Sequence, residues 1–116
     1  MNTREKSLEL AELMPELNVR PHYKNETRLY THELHNIAED NEPEDMKMCP
    51  VQYFNPYSDD IFGRAQFASI LLKFPEVMGR HDLYMWNHPN GAAIGATEPT
   101  QANILDEILR MNGVDV

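Results

Sequence analysis

Ser58-Asp59-Asp60-Ile61-Phe62-Gly63-Arg64-Ala65-Gln66-Phe67-Ala68-Ser69-Ile70-Leu71-Leu72-Lys73-Phe74-Pro75 carries the start, body and stop of one helix, and its reading decides the fold class. Ser58 has the chemistry of an N-cap, and Asp59 and Asp60 place carboxylates in the first turn, against the positive end of the helix dipole. Ile61, Ala65, Ala68 and Leu72, with Phe67, Ile70 and Leu71 beside them, predict a wide buried face, and Pro75 ends the helix after Phe74. Downstream, Leu83-Tyr84-Met85-Trp86 is apolar on both strand faces and runs into His88-Pro89-Asn90-Gly91, whose turn chemistry predicts a β-hairpin closing at Ala92-Ala93-Ile94. A strand apolar on both faces needs cover on both. Thr97 then predicts the cap of a last helix, with Glu98 and Pro99 in its first turn. Ile104, Leu105, Ile108, Leu109 and Met111 form its apolar face, and Asn112-Gly113 is its stop.

Upstream, Asn2 and Glu5 form a variant capping box, and Leu10, Leu13, Met14 and Leu17 recur at helical spacing. Pro15 limits that helix to about Thr3–Met14, because an interior proline removes a backbone donor. Between Val19 and Ile37 the β-favouring Tyr23, Thr27, Leu29, Tyr30, Thr31 and Leu34 predict two short strands about a turn at Lys24-Asn25-Glu26. Glu39-Asp40-Asn41-Glu42-Pro43-Glu44-Asp45 predicts a solvated acidic loop, extending to about residue 50. The expected order is α-β(β)-α-ββ-α: an α+β fold in which a small antiparallel sheet packs with helices as a helix-sheet-helix sandwich. At 116 residues, the chain is expected to be a single domain, 1–116, able to build its own core.

Ten Lys and Arg against 19 Asp and Glu give a net charge of -9, which opposes direct binding to a phosphate backbone. Residues 39 to 60 hold 1 basic and 7 acidic groups, so two thirds of the net charge lies in that segment. The first residues, Met1 to Lys6, mix both charges and lack the apolar region of a secretory signal. The longest aliphatic cluster, Ile70-Leu71-Leu72, is far below the roughly 20 residues that span a bilayer. With Cys49 the only cysteine, no intrachain disulfide forms, and the expectation is a soluble cytoplasmic protein without membrane contact.

Tyr57-Ser58-Asp59-Asp60-Ile61 followed by a helix, an aromatic strand, a Gly-containing turn and Ala96-Thr97-Glu98-Pro99-Thr100 resembles a group of small bacteriophage proteins with a phage ABA sandwich domain. The resemblance covers roughly residues 55 to 111. It implies a helix-sheet-helix sandwich in a phage-encoded protein of the host cell cytoplasm. It carries over no reaction and no catalytic residues. Two departures stand out: Ala65 occupies a position where the family often has tryptophan, and residues 20 to 50 have no clear counterpart.

His32-Glu33-Leu34-His35 places two imidazoles together on a helix but on opposite faces of a strand. Only in the helical case would His32 and His35 seed a metal site, with Glu33, Cys49, His81 or His88 completing it. Ordinary surface or half-buried histidines are the commoner reading, and no metal or other cofactor is expected. Cys49 between Met48 and Pro50 reads as a small apolar residue at a loop-to-strand junction rather than a nucleophile. Asp59 and Asp60 read as helix-capping groups, since adjacent helical positions point about 100° apart.

The leading expectation is a non-enzymatic phage accessory protein that modulates or inhibits a host protein, such as a component of antiviral defence with a basic nucleic-acid-binding groove. Glu39, Asp40, Glu42, Glu44 and Asp45 would steer association, with Tyr53, Phe54 and Tyr57 as aromatic anchors close by. The alternative is a small-molecule-sequestering module with a pocket near Tyr84, Trp86 and His88. A small metal- or thiol-dependent enzyme is the third reading. The apolar hairpin would also allow a homodimer across a two-fold axis.

Overall fold

The computed structural model describes residues 1–79 and 100–116. Its elements are α1 (Thr3–Glu12), a 3-10 turn (Pro15–Leu17), β1 (Arg20–His22), β2 (Asn25–Asn36), β3 (Met46–Tyr53), α2 (Ile61–Lys73) and α3 (Gln101–Met111). The fold is α+β, as expected, with one three-stranded antiparallel sheet in the order β1-β2-β3 among the described residues. The expected hairpin, with Tyr84, Trp86 and His88, and the Thr97 cap lie outside them. The chain divides into two compact units, Asn2–Asn55 and, with Met1, Pro56–Val116.

In the first unit, α1 starts where its cap chemistry places it: the Asn2 side chain accepts the Glu5 N–H at 2.8 Å. The helix ends just before Pro15, which opens the 3-10 turn instead. Arg4 ties α1 to the start of β2, donating from Nε to the Thr27 carbonyl at 3.2 Å and from Nη2 to the Glu26 carbonyl at 3.1 Å. Leu10, Met14, Leu29 and Phe54 are the buried apolar side chains of this unit. The β1–β2 turn falls at Tyr23-Lys24, one residue earlier than expected, with His22 paired to Asn25.

β3 corrects the expected extent of the acidic loop, because residues from Met46 onward pair with β2. Pro50 within this run argues against a central strand, and among the described residues β3 is an edge strand, paired with β2 alone. The register slips beside Pro50: Thr31 faces Gln52 while His32 faces Pro50. A residue without an N–H is tolerated at such an edge bulge. Cys49 accordingly lies inside a strand, opposite Glu33.

In the second unit, Asp60 rather than Ser58 caps α2, its carboxylate accepting the Gly63 N–H at 2.7 Å. The face of α2 is also corrected. Gly63, Gln66 and Ile70 are buried, whereas Ile61, Ala65, Ala68 and Leu72 are exposed. α3 begins at Gln101 with Thr100 as its cap, three residues later than Thr97, because the Thr100 hydroxyl receives the Asn103 N–H at 3.2 Å. Its Ile104, Leu105, Ile108 and Leu109 are buried. Gly113, at φ 83°, lets the chain leave the helix: its N–H reaches Arg110 O at 3.0 Å and the Val114 N–H reaches Leu109 O at 2.9 Å. These two bonds form the paired C-terminal closure that a left-handed residue permits.

Candidate functional site

The acidic segment forms the closed end of the β2–β3 hairpin. Asn36, the last residue of β2, sets this end: its Oδ1 accepts the N–H groups of Ala38 at 3.0 Å and Asp45 at 3.2 Å. The Ile37 N–H donates to Asp45 O at 2.9 Å, which carries the pairing one step past the sheet. Inside the tip the Glu42 N–H meets Glu39 O at 3.1 Å, and the Glu39 N–H meets the Glu42 carboxylate at 3.3 Å. Asn41 adopts the left-handed conformation at φ 72°, which asparagine tolerates better than most residues. Like-charge repulsion is thus held within a hydrogen-bonded turn.

Glu39, Asp40, Glu42, Glu44 and Asp45 are all exposed. Among the described residues no cation forms an ion pair with any of them. Five carboxylates within seven residues therefore project an uncompensated negative field, felt over roughly 8 Å at physiological ionic strength. Carboxylates held in this way attract cationic groups.

The aromatic residues expected beside the acidic segment stand elsewhere. Tyr53 pairs with Tyr30, six residues along β2 from the Asn36–Met46 pair that closes the hairpin, which is about 20 Å at about 3.4 Å per residue. Phe54 is 1% exposed and is a core side chain with no surface to offer a partner. Tyr57 belongs to the second unit, half-buried, with its hydroxyl donating to Asp106 Oδ1 at 2.8 Å. Burial first, and then that hydrogen bond, push the phenol above its ordinary value of 10.0.

His32 and His35 both lie on β2, so their odd spacing sends them to opposite faces. His32 is buried, with Nδ1 2.9 Å from Tyr30 O. His35 is exposed, with Nε2 3.4 Å from Glu33 Oε2. Glu33 and His35 share a face with Cys49, the cross-strand partner of Glu33, yet among the described residues no three such side chains converge to hold a metal ion. The Cys49 thiol instead faces Lys47 O at 3.5 Å. Asp59 pairs with Arg64 at 3.0 Å and Asp60 caps α2, so the two carboxylates serve the start of the helix in different ways.

Two features escaped the sequence reading. Rings line one sheet face: His22 lies against Tyr30 with centroids 4.7 Å apart, Tyr30 lies 5.8 Å from Tyr53, and the Arg28 guanidinium sits 5.3 Å over the Tyr53 ring. The alternation Arg28-Leu29-Tyr30 held this signal, but the partner strand carrying Tyr53 was missed. A cleft of about 220 Å³ also opens between the first turns of α1 and the sheet, lined by Arg4, Ser7, Thr27 and Asn55 among others. The Arg4 guanidinium there is engaged with the two β2 carbonyls.

No helix among the described residues is long and apolar enough to cross a membrane. Comparison with protein-family models, with curated proteins and with solved structures gives no match to this chain.

Proposed function

We propose that this is a non-enzymatic, phage-encoded accessory protein that acts in the host cytoplasm by binding a basic groove of a host protein through the β2–β3 hairpin tip. The observation that carries this reading is the exposure of five carboxylates, none ion-paired among the described residues, on a turn whose backbone is fixed by Asn36 and by the Glu39–Glu42 bonds. A fixed acidic projection fits a concave cationic surface of the kind that binds nucleic acid. It raises the association rate and selects against acidic partners. The phage origin rests on the resemblance of residues 55 to 111. Glu39, Asp40, Glu42, Glu44 and Asp45 are the contact residues of this reading, and it assigns no role in the contact to Tyr53 or Tyr57.

Capture of tagged protein from a bacterial lysate at low salt, followed by native mass spectrometry, tests it. The expected result is one host protein at fixed stoichiometry that is released as salt is raised and is lost with Glu42→Lys/Glu44→Lys. Capture unchanged by that double substitution, or no protein captured at all, overturns the proposal.

A further inference from the structure

The first unit carries a second site, apart from the acidic tip: we propose that the cleft between α1 and the sheet binds a short hydroxy-monocarboxylic acid. Its inner surface holds a polar group that the fold leaves unsatisfied. Ser7 lines the cleft and is 2% exposed, yet among the described residues its hydroxyl has no hydrogen-bond partner. A helical serine has a ready acceptor one turn back, as Ser69 shows by donating to Ala65 O at 3.1 Å. Ser7 makes no such bond to Thr3. A buried hydroxyl without a partner is costly in a folded chain, and a ligand oxygen in the cleft would satisfy it.

The mouth of the cleft supplies charge. Thr3, Arg4 and Thr27 are exposed, whereas Ser7, Leu29 and Phe54 are buried, so the cleft runs from a cationic rim to a floor of two apolar side chains and one hydroxyl. The bonds from Arg4 Nε and Nη2 to the Thr27 and Glu26 carbonyls fix the guanidinium in place without neutralising it. A guanidinium has five N–H groups; both on Nη1 and one on Nη2 keep no partner among the described residues, and no carboxylate there pairs with Arg4. The positive end of the α1 dipole falls on the same rim. In a chain with 19 acidic residues, none of the described residues that line this cleft is acidic. The carboxylates of the hairpin tip lie beyond the other end of β2. Thr27 and Asn36 stand nine positions apart on that strand, about 30 Å, which is outside the reach of a screened field.

Size and charge name the ligand. One fixed guanidinium matches one carboxylate, a planar group that its fork accepts, whereas a phosphate dianion would leave a charge unmatched. A volume of about 220 Å³ equals about seven water molecules at roughly 30 Å³ each, which suits an acid of about four carbons. Leu29 and Phe54 take its carbon chain. Arg4 and Ser7 are three positions apart and so share one helix face, where a short acid with its carboxylate on Arg4 turns its hydroxyl toward Ser7.

Amide-resolved NMR titration of the full chain tests the site, with racemic 3-hydroxybutyrate as the probe. Saturable shifts are expected at Arg4, Ser7, Thr27, Leu29 and Phe54, in the millimolar range that so small a ligand reaches. Butyrate, which lacks the hydroxyl, is expected to bind at least about threefold more weakly, as the loss of one hydrogen bond implies. The neutral 3-hydroxybutyramide is expected not to saturate. Ser7→Ala is expected to bind both acids alike, with a urea midpoint at or above that of the parent because an unpaired buried hydroxyl has been removed. Absence of saturable shifts with 3-hydroxybutyrate overturns the proposal, as does equal binding of acid and amide. A hydroxyl preference that survives in Ser7→Ala overturns it too. So does a lowered urea midpoint in that variant, which would mean that the hydroxyl already has a partner in the free protein.

Discussion

Tyr57 shows how one side chain acquires a pH-dependent role from its surroundings. Its hydroxyl donates to Asp106 at 2.8 Å, and burial and the Asp106 carboxylate both favour the neutral phenol over the phenolate, against a smaller opposing pull from Arg110. The folded state therefore holds this proton above pH 10.0, the ordinary phenol value at which the unfolded chain releases it. Below that pH both states are protonated and the bond contributes fully. Above it, only the unfolded state gains by ionising, and stability falls as pH rises. Tyr57→Phe is expected to cost about 1–2 kcal/mol at neutral pH, the usual worth of such a bond, and to flatten the loss above pH 10. Urea midpoints of both proteins, measured from neutral to alkaline pH, check this; parallel curves would show that Tyr57 does not carry the alkaline slope. The sequence held no sign of the pair, since 49 positions separate the two residues. His32 and His35 were legible up to one choice, helix or strand, and the strand decided it.

α2 was legible as an element and misread in detail, for a physical reason that its start displays. Ser58, Asp59 and Asp60 are all acceptable caps by type. Asp60 takes the role because its extended backbone aims its carboxylate at the Gly63 N–H. Gly63 belongs to the same device: a Cβ there would lie 2.7 Å from Ser58 Cβ and closer still to the Ser58 carbonyl oxygen. The chain folds tightly over the first turn only because that position has no side chain. Gly63→Ala is expected to destabilise by about 1–3 kcal/mol, as overpacking does, even though alanine is the better helix former. A higher or unchanged denaturation midpoint would refute the close approach. The face was misread because α2 is apolar nearly all round, so periodicity alone does not choose which stripe is buried. α3 has a single apolar stripe: of its five predicted face residues, Ile104, Leu105, Ile108 and Leu109 are buried and Met111 is half-buried. β3 was hidden by Lys47 and Pro50, which are tolerated because the strand is bulged and, among the described residues, lies at the sheet edge.

For the whole molecule, placement of charge matters more than its total. A net charge of -9 gives any cationic partner a general attraction, but general attraction is screened within roughly 8 Å at physiological salt and does not choose an orientation. The hairpin tip does, because its carboxylates are held on one turn with no cation paired to them among the described residues. A charge-matched pair of variants separates the two effects. Glu42→Lys/Glu44→Lys and Glu12→Lys/Asp115→Lys alter exposed positions and change the net charge equally, by four units. If the tip is the contact, the first variant is expected to lose the host protein captured by the parent chain and to slow its association at least tenfold. The second is expected to stay within about twofold, as a loss of screened charge outside the contact allows. Stopped-flow association at two ionic strengths makes the comparison. Equal slowing by both variants would mean that the protein binds through its overall field, and the hairpin tip would lose its claim to be the site.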